Sequence, residues 1–259
     1  MSGAHHLEAI GPAGDPAGPV HRLDPRAKLL GFVGITCFAV SAPLHAWPVY
    51  AGCALALVLL ATVARVPPGT IWRRVRGVLL LVLFVAAFVP FVERGDETVA
   101  LGPFALSVAG LTILGTVAAK ATIGTVGAVL LGATTTYPDV LRALEALRVP
   151  RAFTLIAAFS YRYLFVLVAE VLRMRSALLA RGYRPRTALG AAAAGRLAGT
   201  LFVRAHARGE RVYLAMAARG YAGTMPPDAP LALRRADLAF LAVLGAALLA
   251  LRVGVELAG

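Results

Sequence analysis

The stretch SVAGLTILGTVAAKATIGTVGAVLLGAT, residues 107–134, holds one charged residue, Lys120. A helix needs about 20 apolar residues to cross the hydrocarbon core of a bilayer, so this stretch predicts one long, tilted transmembrane helix. Four other apolar runs predict further spans, near residues 29–44, 46–64, 77–92 and 238–257. Because 59% of the residues are hydrophobic and the mean hydropathy is +0.77, we expect an all-α integral membrane protein with about five transmembrane helices.

Basic residues alternate between the segments that flank these spans. Arg22, Arg26 and Lys28 precede the first span, whereas the loop around Asp96 is not basic. The arginines expected in the loop between the second and third spans are Arg65, Arg73, Arg74 and Arg76. The positive-inside rule then places the N-terminus in the cytoplasm and the Asp96 loop outside. This alternation favours a membrane protein over a nucleic-acid-binding protein, despite the net charge of +13.

Residues 98–139 are long enough for two spans. Two spans would place the arginine-rich segment that follows outside the cell, against the charge rule. We therefore predict one helix, preceded by a short external hairpin with its turn at Gly102-Pro103. Lys120 then lies within the membrane, where helix packing or snorkelling is favoured over a functional role.

The remaining chemistry-bearing residues predict no catalytic, cofactor or metal site. Cys37 and Cys53 fall inside predicted spans and are expected to be buried apolar residues. The first 20 residues are predicted to be a flexible leader, in which His5 and His6 lack nearby ligands for a metal. Residues 21–259 are predicted to form a single membrane domain.

The segment 137–225 differs from the rest of the chain, because arginine dominates it. Between residues 134 and 235 there are sixteen arginines and five acidic residues, a net charge of +11. Periodic apolar residues predict helices over about 139–147, 152–180 and 188–218. We expect amphipathic cytoplasmic helices here, because charge interrupts the two longer ones too often for ordinary spans.

A short phrase occurs twice in this segment, as Ala180-Arg181-Gly182-Tyr183 and as Ala218-Arg219-Gly220-Tyr221. Each copy ends a predicted helix, with the glycine suited to the left-handed C-cap position. The arginine then projects from the helix end and offers several N–H donors to a partner. Arginines near helix C-termini also complement the helix dipole, but the repetition favours docking into two equivalent grooves.

These motifs resemble the transmembrane T component of energy-coupling-factor (ECF) transporters, most closely the CbiQ-type subunit of cobalt and nickel importers. The paired Ala-Arg-Gly motifs carry the resemblance together with further stretches. These are LDPRAKLL at 23–30, TTTYP at 134–138, LRAL at 141–144, LRVP at 147–150, and YRYLFVL at 161–167 followed by Glu170 and RMR at 173–175. The resemblance covers nearly the whole chain after the leader.

The resemblance implies an ECF T-component fold and a scaffold without chemistry of its own. Two ATP-binding-cassette (ABC) ATPase subunits would dock on its cytoplasmic coupling helices, with Arg181 and Arg219 in their grooves. A separate CbiM-like subunit, with or without a CbiN-like one, would bind the substrate in the bacterial inner membrane. The sequence is consistent with separate ATPase subunits, because it has no G-x-x-x-x-G-K-[ST] loop that could bind the phosphates of ATP.

Three alternatives stay open at this point. The T component of a vitamin importer would share the same motifs. A self-sufficient channel or secondary transporter would need polar residues or broken helices near mid-membrane, where Lys120 is the one candidate. A membrane enzyme would need clustered acidic or histidine residues at the end of a span, and the acidic residues here are scattered.

Overall fold

The computed structural model of the chain describes residues 20–43, 46–86, 98–101, 104–182, 189–221 and 233–258. Within these ranges the elements are α1 (Pro25–Ser41), α2 (Trp47–Val63), α3 (Pro68–Ala86), β1 (Thr98–Leu101), β2 (Phe104–Ser107), α4 (Val108–Thr134), α5 (Tyr137–Ala146), α6 (Arg151–Ala180), α7 (Leu189–Ala218) and α8 (Arg235–Ala258). The predicted all-α membrane class is confirmed. Most of the predicted leader, with His5 and His6, lies outside the described residues.

One helix follows a short hairpin in the region that was long enough for two spans. Strands β1 and β2 pair antiparallel, with Leu101 opposite Phe104. The predicted turn residues, Gly102 and Pro103, lie outside the described residues. Helix α4 then continues without a break for 27 residues. At 1.5 Å per residue it is about 40 Å long, enough to cross a bilayer at a tilt.

The third helix begins earlier than the sequence predicted. Helix α3 starts at Pro68, so Arg73, Arg74 and Arg76 lie inside the helix and not in a loop. Proline is favoured in the first turn of a helix, and arginine is a good helix former, so the three charges do not delay the start. The predicted span near 77–92 therefore corresponds to the second part of a helix whose first part carries these arginines. Residues 87–92 of that span lie outside the described part.

Three helices of the described chain are long and apolar enough to cross a membrane. They include Thr112–Thr134, Arg151–Ala180 and Arg235–Val255, while Trp47–Val63 is a shorter apolar helix. Helix α6 was expected to be interrupted by charge too often for a span, but its length and apolar composition suit one. The charges of α6 are concentrated in its last third. Before Glu170 the helix carries Arg151 at its first position and one further charge, Arg162.

The chain divides into two compact units. Among the described residues, the bundle unit consists of those between 20 and 147 and of 233–258, and the helix-pair unit of those between 148 and 221. In the bundle unit α4 packs against α1, α2 and α3, and α8 packs against α1 and α2. Ile35, Leu57 and Leu130 are among its fully buried side chains.

Small residues bring α8 close to its neighbours in the bundle unit. A Cβ atom at Gly31 of α1 would lie 2.8 Å from the ring of Phe240, and one at Gly52 of α2 would lie 2.5 Å from Leu251. Glycine therefore lets the Phe240 and Leu251 side chains pack directly on the backbones of α1 and α2. The predicted burial of the cysteines is right for Cys53 and wrong for Cys37, which is exposed on the outer side of α1.

Lys120 of α4 caps the C-terminal end of α1. Its Nζ donates to the carbonyl oxygens of Val40 and Ala42, at 2.9 and 3.0 Å, where α1 ends. The hydroxyl of Tyr50, with its single hydrogen, lies 3.0 Å from the Pro43 oxygen and 3.2 Å from the same Ala42 oxygen, so it shares its donation between them. The last carbonyls of a helix lack partners within the helix and carry partial negative charge, so a lysine satisfies them well. This residue thus has a packing role in the bundle unit.

A buried polar cluster ties the start of α1 to the start of α8. Asp237, 1% exposed, accepts from the backbone N–H groups of Arg234 and of Asp24, at 2.7 and 2.8 Å. Lys28, 2% exposed, donates to the carbonyl oxygens of Thr134 and His21, at 2.9 and 3.2 Å. One carboxylate therefore caps two helices, and the lysine fixes the end of α4 beside them.

Candidate coupling site

Helix α6 ends at the first copy of the repeated motif. Ala180 is its last residue, Arg181 is the C-cap, and Gly182 follows with a φ of 77°. The Gly182 N–H donates to the Leu179 oxygen at 3.0 Å, which closes the last turn. A left-handed residue after the C-cap satisfies carbonyls that the helix leaves open, and glycine adopts this conformation without strain.

Helix α7 ends in the same way at the second copy. Ala218 is its last residue and Gly220 has a φ of 82°. The N–H groups of Gly220 and Tyr221 donate to the oxygens of Ala217 and Met216, both at 3.0 Å. This pair of bonds is the Schellman motif. Tyr183, the counterpart of Tyr221, lies outside the described residues.

The two C-cap arginines, Arg181 and Arg219, are exposed. Across the described ranges, neither guanidinium has a hydrogen-bond or ion-pair partner. No heavy atom lies within 4 Å of a Cβ built on Gly182 or Gly220, so the space beside each cap is open. The left-handed caps predicted from the sequence are thus observed, and each presents a charged group with unused donors.

Helices α6 and α7 contact each other near their middles through Glu170. One oxygen of this carboxylate accepts from Arg173 of the same helix at 2.6 Å, and the other accepts from Arg204 of α7 at 2.5 Å. The Glu170 side chain is 15% exposed, whereas both guanidiniums are more than half exposed. A single acidic residue therefore links the two helices.

Each cap arginine lies well beyond this link along its own helix. Arg181 follows Glu170 by 11 residues, about 16 Å of helix, and Arg219 follows Arg204 by 15 residues, about 22 Å. The link between Glu170 and Arg204 was not predicted from the sequence, although Glu170 is the one acidic residue within α6.

A metal centre is another kind of site that helices of a membrane protein can hold. Among the residues with a described position, no three or more His, Cys, Asp or Glu side chains are grouped as a metal site. On the exposed surface of α7, His206 Nε2 lies 3.6 Å from a Glu210 carboxylate oxygen.

Several apolar helices long enough to cross a bilayer, together with two equivalent cap arginines, define a multi-pass membrane protein with an arginine-bearing helix pair. Residues 17–229 match the model of the CbiQ family, described as cobalt transport protein. This chain belongs to the CbiQ family. The match confirms the predicted resemblance to the T component of ECF transporters.

Individual relatives agree with this family. The chain is 26% identical over 221 residues to "Putative fused cobalt transport protein CbiMQ" of Methanocorpusculum labreanum, covering 81% of this chain and 36% of that protein. It is 30% identical over 185 residues to "Putative ABC transporter ATP-binding protein" of Bifidobacterium longum, covering 67% and 23%. It is 27% identical over 173 residues to "Energy-coupling factor transporter transmembrane protein EcfT" of Heliobacterium modesticaldum, covering 63% and 64%. The chain thus spans about a third and a quarter of the length of the first two relatives.

Proposed function

We propose that this protein is the energy-coupling membrane subunit of an ECF-type importer. In this role it joins two ABC ATPase subunits to a separate substrate-binding membrane subunit and performs no catalysis itself. The observation that carries the proposal is the pair of exposed C-cap arginines, Arg181 and Arg219, each held by a left-handed glycine. Two equivalent contact groups fit two equivalent partner subunits.

Each cap arginine contributes a different free energy on the free helix and in the groove of a partner. On the free helix, a cation at the C-terminus gains only about 0.3–1 kcal/mol from the helix dipole. In the groove of a partner, a desolvated and paired arginine is worth far more, since truncating one such partner costs about 2–5 kcal/mol. Arg181 and Arg219 therefore contribute little to folding and are available for an interface.

The relatives support the class of partners. One bears the name of an ABC transporter ATP-binding protein, which supports ATPase subunits as the source of energy. Another joins CbiM and CbiQ in its name, which supports a CbiM-like substrate-binding partner, with or without a CbiN-like subunit. The family description supports cobalt as the substrate, and nickel is the alternative ion that we expect.

The location proposed for this subunit is the bacterial inner membrane, with the N-terminus and the helix-pair unit on the cytoplasmic side. The supporting feature is the charge of +11 between residues 134 and 235, because cytoplasmic segments of membrane proteins are enriched in Lys and Arg. ATP is available on that side, where the cap arginines would meet the ATPases. Access of a cysteine placed at Arg219 to a membrane-impermeant thiol reagent, in intact cells and in inverted vesicles, tests this orientation.

The double variant Arg181→Ala/Arg219→Ala tests the coupling role. We expect it to reach the membrane and keep its thermal stability, while retention of the ATPase subunits on purification and uptake of radioactive cobalt fall by at least about tenfold. The matched control is Arg175→Ala/Arg196→Ala, which removes one exposed arginine from each helix away from the caps. Cobalt uptake at the parental rate by the double variant, or uptake by this chain without any ATPase subunit, would contradict the proposal.

A further inference from the structure

The two helices of the helix-pair unit meet without a buried apolar core. Over residues 148–182 and 193–221, where the burial of this unit is described, Thr154 is the one buried residue. Its hydroxyl donates to the Arg151 oxygen of its own helix. A cleft of about 280 Å³ also lies between α6 and α7, beside Glu170. Interdigitated side chains usually fix the angle between two packed helices, so another contact has to determine it here.

Glu170 provides a contact that joins the two helices. Each helix contains one acidic residue, Glu170 in α6 and Glu210 in α7. Glu210 lies near His206 of its own helix, whereas Glu170 accepts from Arg204 of α7 and from Arg173 of α6. Both oxygens of the Glu170 carboxylate are engaged, each by a different guanidinium. Hydrogen bonds between ionised groups are shorter and stronger than neutral ones, so this carboxylate holds α7 against α6.

The two caps lie on helix ends that diverge from this link. Helix α6 ends at Ala180, about 15 Å past Glu170, and α7 begins at Leu189, about 22 Å before Arg204. In parallel helices these two ends would be about 37 Å apart, but the nine steps of chain that join them reach at most about 32 Å. The helices therefore do not run parallel. A rotation of one helix about the link changes the distance between the two caps.

We propose that Glu170 is a positioning residue, which fixes the distance between the caps by holding Arg204. Two partner subunits can be engaged at once only when the spacing of the contact groups matches the spacing of the grooves. The link would therefore set the spacing at which Arg181 and Arg219 meet two ATPase subunits. This consequence rests on the proposed function, whereas the fixed distance is a property of the chain itself.

Pulsed electron–electron double resonance between two spin labels measures this distance in the full-length protein in detergent. The labels are attached at Leu179→Cys and Leu214→Cys, exposed positions near the two caps, in a chain that also carries Cys37→Ala and Cys53→Ala. We expect one narrow distance distribution in this parent. Glutamine offers one acceptor oxygen where the carboxylate uses two, so we expect a distribution at least about twofold broader in Glu170→Gln.

Two further variants separate the link from a general loss of structure. Glu210→Gln removes the carboxylate that lies near its own helix and is expected to leave the distribution narrow. The exchange Glu170→Arg/Arg204→Glu moves the carboxylate to α7, where it can still meet Arg173 and the new guanidinium of α6. We expect the exchange to restore most of the narrow distribution that Glu170→Arg alone loses, because only the pairing is recovered.

Retention of the ATPase subunits is measured on the same substitutions in the chain without labels, and we expect it to fall at least about threefold in Glu170→Gln. Unchanged distances in Glu170→Gln, equal broadening in Glu210→Gln, or no recovery in the exchange would overturn the inference. Broader distances with parental ATPase retention would also overturn it. Parental retention in Arg181→Ala/Arg219→Ala would instead contradict the proposed function, and the consequence for docking with it, so the two failures are distinguishable.

Discussion

The bundle unit and the helix-pair unit use cations at helix ends in opposite ways. The chain contains two lysines, Lys28 and Lys120, and both donate to carbonyl oxygens where another helix of the bundle unit ends. The helix-pair unit places Arg181 and Arg219 at the ends of their own helices, exposed to the surroundings. In the first unit a cation stabilises the fold, and in the second it is exposed, in line with the proposed contact to a partner. A helix-end cation therefore has to be judged by what lies around it.

The largest expected effect is that of Lys28→Met in the bundle unit. The substitution leaves the carbonyl oxygens of Thr134 and His21 without this donor and removes a cation that attracts Asp139, Asp24 and Asp237. Unsatisfied buried groups cost about 1–3 kcal/mol each, so we expect the free energy of unfolding to fall by roughly 2–4 kcal/mol. Thermal unfolding in detergent measures it, with the exposed Arg22→Met as control. Equal stability of the two variants would show that the lysine does not hold this junction.

A smaller loss in the free energy of unfolding is expected for Lys120→Met. The hydroxyl of Tyr50 can still donate to one of the two carbonyl oxygens that the lysine reaches, that of Ala42. We expect a loss of about 1–2 kcal/mol, since the Val40 oxygen alone loses its capping partner. Val117→Met, an exposed position one turn earlier on α4, is the control for placing methionine on this helix. Should Lys120→Met abolish cobalt uptake without any loss of stability, the residue would have a transport role in place of a packing role.

The smallest effect concerns the caps themselves. Valine at Gly220 would have to adopt a φ near 82°, which costs about 1–2 kcal/mol, whereas asparagine tolerates this region. We expect hydrogen exchange in the last turn of α7 to speed up several-fold in Gly220→Val and little in Gly220→Asn. The reverse change, Arg148→Gly, should slow exchange at the end of α5, because Arg148 already has a φ of 66°. Identical exchange in the valine and asparagine variants would mean that the cap is not strained.

Much of the architecture could be predicted because it depends on local sequence. Apolar periodicity predicted a helix over about 139–147, and α5 covers Tyr137–Ala146 with Thr136 as its N-cap. The charge rule led to one helix over residues 107–134, and a single helix, Val108–Thr134, is present. The glycines of the repeated motif predicted the left-handed caps at both sites. The start of α3 was misplaced, because arginines were assigned to a loop although arginine is compatible with a helix.

Contacts between distant parts of the chain could not be predicted. Asp24 and Asp237 are 213 positions apart, and nothing in either local sequence shows that one caps the other. Lys120 was expected to pack or to snorkel, but its acceptors lie about 80 residues earlier. Glu170 was noticed only as part of a family resemblance, and its link to Arg204 needs two helices in contact.

By itself the sequence determined which segments are helices and where two of them end in an arginine beside a left-handed glycine. These properties depend on residues within a few positions of one another, so periodicity and turn chemistry determine them. Only the tertiary structure decided which charged side chains have hydrogen-bond partners within the protein. A side chain's hydrogen bonds depend on which backbone comes within about 3 Å of it, and that depends on the packing of helices far apart in the chain. Lys28 and Lys120 have such partners, and Arg181 and Arg219 remain exposed.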